Sequence, residues 1–304
     1  MRIDNDQIYV EDVPVTAIAE TYGTPTYVYE ENTIRANFRR ALKAFSRYYE
    51  NFRFHYAIKA NNNPAIAHIL RQEGAGIDAA SVNEILLAKK LGFAGDDIVF
   101  SGNFLSDDDI KAGLDTGAVF NLDDLSLLPR LLKFGQPDIL SFRVNPGYGK
   151  SNVGDYVTNA GPGAKFGIHP DQVIDAYRAA RDAGITRFGA HMMPGSCLLD
   201  PGYFAFITEL LLDIIGTAGK ELEIDFDFID LGGGLGIPYL PDEEPLDVEA
   251  TAEQVAEVFT RKVDEYGLKP PRMVMEPARY FVGDAGYLVG RVHSIKNSYT
   301  EIVG

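Results

Sequence analysis

The fold class predicted for this chain is α/β, a closed (β/α)8 barrel, and three observations predict it. Short apolar or β-branched runs alternate with amphipathic helical stretches, the alternation can be counted eight times, and the glycine cluster Gly232-Gly233-Gly234 follows the seventh run. Eight such units within roughly 225 residues fit a barrel of about 250 residues. An open doubly wound sheet is the alternative, but its dinucleotide-binding glycines belong after the first strand.

Period-2 runs are read as strands and 3.6-period runs as helices. Residues 31 to 48 form a leading helix. The first strand, 54 to 59, carries Phe54-His55-Tyr56-Ala57-Ile58-Lys59 and precedes helix 64 to 73; the second, 76 to 80, precedes helix 82 to 91. The third, 98 to 101, leads to helix 106 to 116, and the fourth, 118 to 122, to helix 124 to 134. The fifth, 139 to 144, reaches helix 170 to 183 only after a long Gly/Pro-rich loop. The sixth, 188 to 193, is followed by helix 202 to 219; the seventh, 226 to 231, by helix 250 to 266; the eighth is 272 to 276. Outside the barrel, Gln7 to Val15 and Tyr287 to Ile295 read as β structure. Two β-rich ends suggest a second, partial β domain built from both termini, dividing the chain into 1–24, a barrel of 25–280, and 281–304.

A length of 304 residues suits one large domain with a smaller appendage. The net charge of -16 opposes nucleic acid and anionic membrane surfaces, so neither is an expected partner. The most apolar helical stretch, near Phe204 to Ile215, is interrupted by Glu209 and Asp213, and no membrane span is expected. The start, Met1-Arg2-Ile3-Asp4-Asn5-Asp6, lacks the apolar core of a signal peptide, and the expected location is the cytoplasm. The single cysteine, Cys197, excludes an intrachain disulfide and a cysteine-cluster metal site, and the histidines show no metal-ligand spacing.

In a barrel the C-terminal ends of all strands share one mouth. That rim collects Lys59, Asp78, Arg143, Ser196, the glycines 232 to 234, Glu276 and Arg279. Glycines after the seventh strand let backbone N–H groups approach a phosphate, while Ser196 adds a hydroxyl donor and Arg279 charge-assisted bonds. A lysine, a phosphate cradle and a carboxylate at one mouth are what pyridoxal 5'-phosphate requires: an imine to anchor the aldehyde, a seat for the phosphate, a partner for the ring nitrogen. A carboxylate such as Glu276 favours the protonated ring, an electron sink suited to loss of a carboxyl group over racemisation. Taken singly, each residue also has a plain structural role, the glycines as a turn and Asp78 as a strand-end cap.

Five motifs occur in order: His55-Tyr56-Ala57-Ile58-Lys59-Ala60-Asn61, Gly76-Ile77-Asp78-Ala79-Ala80-Ser81-Val82-Asn83-Glu84, Lys165-Phe166-Gly167, Leu231-Gly232-Gly233-Gly234-Leu235-Gly236 and Glu276-Pro277-Ala278-Arg279. Together they resemble the fold type III pyridoxal-phosphate decarboxylases, the diaminopimelate decarboxylases most of all. The resemblance implies an alanine-racemase-like barrel with a β domain, acting as a homodimer with shared active sites. It implies that Lys59 holds the cofactor as an imine, that Asp78 orients its surroundings, and that Arg143 fixes the cofactor side of the pocket. Ser196, Gly233, Gly234 and the backbone of Glu276 to Arg279 are implied in phosphate binding, Glu276 in pairing with the ring nitrogen, and Arg279 with either phosphate or a substrate carboxylate.

Two departures stand out. Where the family places a histidine flat against the cofactor ring this chain has Met193, which packs on an aromatic face but donates no proton, leaving His191 as a candidate acid. The family also continues for roughly a hundred residues, closing the β domain and supplying a cysteine and a tyrosine to the dimer-related site, so this chain is expected to be incomplete, and Cys197 to be a packed thiol. The expected activity is decarboxylation of meso-diaminopimelate to L-lysine. The alternatives are a sister decarboxylase acting on ornithine, carboxynorspermidine or a carrier-bound amino acid, a racemase on the same barrel, and a cofactor-binding protein without turnover.

Overall fold

The computed structural model describes residues 1–154 and 159–304. An antiparallel meander opens the chain, β1 (Arg2–Asp4), β2 (Gln7–Val10) and β3 (Val13–Pro14), followed by α1 (Val15–Tyr22), β4 (Thr26–Tyr29) and α2 (Glu31–Tyr48). The repeating units then follow: β5 (Phe52–Ala57) and α3 (Pro64–Gln72), β6 (Gly76–Ala79) and α4 (Val82–Lys90), β7 (Ile98–Phe100) and α5 (Asp107–Thr116), β8 (Val119–Leu122) and α6 (Leu127–Leu132). β9 (Leu140–Val144) is separated by the short β10 (Lys150–Ser151) from α7 (Pro170–Asp182), and β11 (Phe188–Met192) by β12 (Gly195–Ser196) from α8 (Pro201–Leu222). β13 (Phe228–Asp230), α9 (Val248–Tyr266) and β14 (Arg272–Met275) complete the series, and α10 (Arg279–Val282), β15 (Gly286–Val289), β16 (Ile295–Asn297) and β17 (Glu301–Val303) end the chain.

Strands β5, β6, β7, β8, β9, β11, β13 and β14 form a closed parallel barrel, sealed where Met275 of β14 pairs with Phe54 of β5. Their residues are buried almost throughout, because a parallel sheet is covered on one face by helices and on the other by its own interior. Helix starts are set locally. Asn63 Oδ1 accepts from Ala65 N at 3.0 Å with Pro64 at the first helical position, and Ser106 and Asp109 form a reciprocal capping box. The leading helix α2 joins the outer ring beside α9. Phe45 stacks on Phe52 at 4.7 Å between ring centroids, and Phe38 and Phe281 close on Phe54. This aromatic wedge pins β5, and with it the segment that carries Lys59.

Several expectations need correction. The first strand does not reach Lys59: it ends at Ala57, and Ile58–Ala60 form a single 3-10 turn, held by the Tyr56 hydroxyl donating to the Asn61 carbonyl at 2.9 Å. The predicted β segment from Gln7 ends at Pro14, since Val15 opens the unforeseen helix α1. The stretch from Tyr287 is two separate strands, β15 and β16. β15 pairs antiparallel with β4, Tyr287 opposite Val28, so the two ends of the chain meet there, while β1–β3 and β16–β17 form sheets of their own. Helix α8, contrary to expectation, is long and apolar enough to cross a membrane by length and composition. Here it buries Phe204, Ile207, Leu211 and Ile215 and packs against α7 and α9.

Candidate active site

Lys59, Ser196, Gly234, Glu276 and Arg279 line one cavity of about 150 Å3 at the C-terminal rim of the barrel, together with Met193 and Asn159. Strand register brings Asp78 beside the end of β5, opposite Ala57, and the Lys59 ammonium donates to Asp78 Oδ2 at 2.7 Å. Asp78 is 1% exposed, whereas the lysine side chain is half exposed in the mouth. Burial works to lower the amine's pKa, but the charges of Asp78 and Glu276 outweigh it and hold the pKa above its ordinary value. Lys59 is therefore an ammonium ion, and not the free amine that a nucleophile requires.

Glu276 directly follows β14, and its backbone N–H is fixed to the Gly232 carbonyl at 2.9 Å. Oε2 lies 3.1 Å from His191 Nε2, and Oε1, fully buried, has no partner. Burial alone raises the Glu276 pKa, but His191 and Lys59 override it and hold the carboxyl well below the carboxylate range. It is an anion with one oxygen free.

The glycine turn is shaped by close approach. A Cβ on Gly233 would lie 2.7 Å from the Glu276 carbonyl oxygen, one on Gly232 2.2 Å from that of Met192, and Gly232 and Gly234 adopt φ values of +72° and +104°. No other residue fits this path, which lets the backbone of the turn approach a ligand at the rim with no side chain in the way. The Gly233 N–H donates to the Met193 sulfur at 3.0 Å, so the thioether that replaces the expected histidine lies over the turn. Ser196 pairs with Ser151 of β10 and shares the cavity wall with Gly234, which approaches the Gly195 carbonyl. Arg279 opens α10, bonds to the Tyr239 hydroxyl, and carries its guanidinium 5.6 Å from the Tyr239 ring centre.

Arg143, Asp78 and Gly233 do not line the cavity. Arg143, next to last in β9, stacks on Phe166 at 4.3 Å, faces Asp123 at 3.9 Å and donates to the Asn159 carbonyl at 3.3 Å. Burial lowers its pKa while Asp123 and Glu276 oppose the shift. Asp123 in turn accepts the Gly167 N–H at 3.0 Å, so the Lys165-Phe166-Gly167 motif anchors the long loop against the mouth.

Sequence reasoning missed Asp230, Asp123 and Tyr239. Asp230 and Asp123 carried a readable signal, since each is a charged residue at the end of a strand buried on both faces. The loop residue Tyr239 carried none.

A glycine turn that a Cβ would fill, a half-exposed ammonium and a buried anionic carboxylate on the cavity wall match the phosphate, aldehyde and ring nitrogen of pyridoxal 5'-phosphate, and the residues present fit that cofactor. Comparison with known proteins agrees. Residues 32–283 match the family described as pyridoxal-dependent decarboxylase, pyridoxal binding domain. A diaminopimelate decarboxylase of Methanothermobacter thermautotrophicus is 43% identical over 302 residues, covering 99% of this chain and 70% of that protein. One from Thermoplasma acidophilum is 38% identical, covering 95% of this chain and 69% of that protein. The crystal structure of diaminopimelate decarboxylase from M. jannaschii in complex with L-lysine superposes with a TM-score of 0.86 at 30% identity, covering 99% of this chain and 72% of that one.

Proposed function

This chain belongs to the pyridoxal-dependent decarboxylases, and we propose that it is a carboxy-lyase acting on diaminopimelate to give lysine. The observation that carries the reading is the placing of an ammonium, Lys59, and an anion, Glu276, on the wall of one cavity beside the glycine turn. The substrate assignment is supported by the two diaminopimelate decarboxylases it resembles and by the lysine complex of the M. jannaschii enzyme.

In the proposed roles, Lys59 is the attachment point for the cofactor and Asp78 keeps its amine aimed and protonated until the cofactor arrives. The N–H groups of Gly233 and Gly234, the former exchanging the Met193 sulfur for the phosphate, hold it together with the Ser196 hydroxyl and the backbone from Glu276 to Arg279. Arg143 keeps the Phe166 loop against the cofactor side of the pocket. Glu276, an anion on the cavity wall, pairs with the ring nitrogen and keeps it protonated. When bound, pyridoxal 5'-phosphate supplies an electron sink for the carbon that loses its carboxyl group. Met193 packs without offering a proton, and His191 is already engaged with Glu276, so the proton that replaces the lost carboxyl group is assigned to the ammonium of Lys59 on the cavity wall. Arg279, steadied by Tyr239, meets a substrate carboxylate or the phosphate. A homodimer and a cytoplasmic setting belong to the same proposal and rest on the family likeness; the net charge of -16 works against nucleic acid and anionic membranes.

Borohydride reduction of the cofactor-loaded protein followed by peptide mapping is expected to place the modification on Lys59, and Lys59→Ala to abolish it. Labelled diaminopimelate is expected to release carbon dioxide and yield lysine. Cofactor attachment with no carbon dioxide from diaminopimelate, ornithine or lysine would leave the binding site standing and sink the decarboxylase assignment.

A further inference from the structure

Glu276 does not stand alone at the top of the barrel. The β11–β13 register sets His191 opposite Asp230, and the β13–β14 register sets Asp230 opposite Val274, two residues before Glu276. One polar atom from each of His191, Asp230 and Glu276 therefore lies within 4.8 Å of the other two, and all three side chains are buried, Asp230 with no exposure at all. Asp230 Oδ1 accepts the Gly232 N–H at 2.8 Å, and His191 Nε2 meets Glu276 Oε2 at 3.1 Å. Asp230 Oδ2 and Glu276 Oε1 are left with no partner. Two carboxylates this close and this dry cannot both remain ionised. A single proton between them satisfies both.

We propose that Asp230 is a neutral carboxylic acid that hands a hydrogen bond from Oδ2 to Glu276, fixing Glu276 as the anion and setting its orientation; this rests on the reading that Glu276 faces the cofactor. Asp230 is then a positioning residue, acting through Glu276. The surroundings place the proton. His191 lies opposite Asp230 but directs Nε2 to Glu276, which also has Lys59 beside it, whereas the acidic groups nearest Asp230 are Glu276 and Asp78. Burial first, and the Glu276 charge second, push the Asp230 pKa well above its ordinary value. The same three residues have the geometry of a small cation site, but a cation needs both carboxylates ionised and predicts the opposite protonation state.

The test is read on the apoprotein, so it stands apart from the identity of the substrate. Infrared difference spectra of protein carrying 13C-labelled aspartate, wild type minus Asp230→Asn, are expected to show a protonated carboxyl stretch at neutral pH. Because the folded state keeps a proton that the unfolded chain releases above the ordinary aspartate value of 3.8, wild-type stability falls as pH rises from there towards the folded pKa. Asp230→Asn has no such penalty, so its melting temperature should gain on wild type progressively with pH. The amide also reproduces both bonds, accepting from Gly232 and donating to Glu276. Asp230→Leu reproduces neither, and its dissociation constant for pyridoxal 5'-phosphate should exceed that of Asp230→Asn by about tenfold or more. Three results would overturn the proposal: no protonated aspartate band in wild type, a stoichiometric divalent ion that Asp230→Asn loses, or equal cofactor affinity in the two variants. Should Asp230→Leu fail to fold, the band and the pH dependence of Asp230→Asn still decide.

Discussion

At the scale of single residues, the chain spends its buried polar groups unevenly, and His55 shows the cost of one left without a partner. Only 3% exposed, it has no hydrogen bond at either ring nitrogen and lines a cavity of about 60 Å3 at the N-terminal end of the barrel with Asp96, Arg187, Asp227 and Arg272. Burial, reinforced by Arg53 and Arg272 and opposed by Glu276 and Asp97, lowers its pKa from 6.5 to about 4. The ring is neutral in the fold but protonated in the unfolded chain below pH 6.5, so the folded state loses stability as pH falls from 6.5 through about 4. Denaturant midpoints of the apoprotein across that window should drop more steeply for wild type than for His55→Gln. Parallel curves for the two proteins would show that the ring is hydrated or paired in solution.

At the scale of elements, the turn after β13 matters through its backbone. Replacing Gly233 by alanine puts a methyl group 2.7 Å from the Glu276 carbonyl oxygen, which β14 and the Gly232 bond hold in place. The strand ends must part, at a cost of about 1–3 kcal/mol, and the N–H groups that would meet a phosphate are re-aimed. Gly233→Ala should weaken pyridoxal 5'-phosphate binding by about tenfold or more, read by fluorescence titration, whereas an unchanged affinity would remove this turn from the phosphate seat. The same scale shows what was readable from sequence. Barrel strands were legible as apolar runs because both faces are buried, and the chosen helices because their periodicity is long. Strand ends were less so: Lys59 completes an apolar alternation on paper, yet the backbone has already turned at Ala57. Helix α1 escaped because it buries only Ile18 and has no side-chain cap. The Asp230–Glu276 contact depends on the register of three strands, which no local pattern encodes.

Over the whole molecule, burial divides the chain into a barrel that carries the stability and a terminal hairpin that contributes little. Every residue from 290 to 304 is exposed, including Val292 at 60%, Ile295 at 61%, and Ile302 and Val303 at 50% and 57%. The hairpin β16–β17 closes on itself, with the Gly304 N–H returning to the Ser294 carbonyl at 2.9 Å. A segment that removes almost no apolar surface from water gains almost none of the roughly 25 cal/mol per Å2 that burial supplies, and a lone two-stranded hairpin is marginal in water. The last element tied to the barrel is β15, whose pairing with β4 is continued by the Glu30 N–H to the Ala285 carbonyl at 2.9 Å. Deleting residues 291–304 should therefore shift the melting temperature by less than about 2 °C, while amides of β16 and β17 exchange with solvent long before those of β5 to β14. Deleting back through Gly286 should cost far more, because it strips β4 of its partner and opens the Phe281 side of the aromatic wedge that positions β5. If both deletions melt alike, or if the β16–β17 amides are as protected as the barrel, the hairpin is packed against something in solution, and the apolar residues it exposes are the surface to examine.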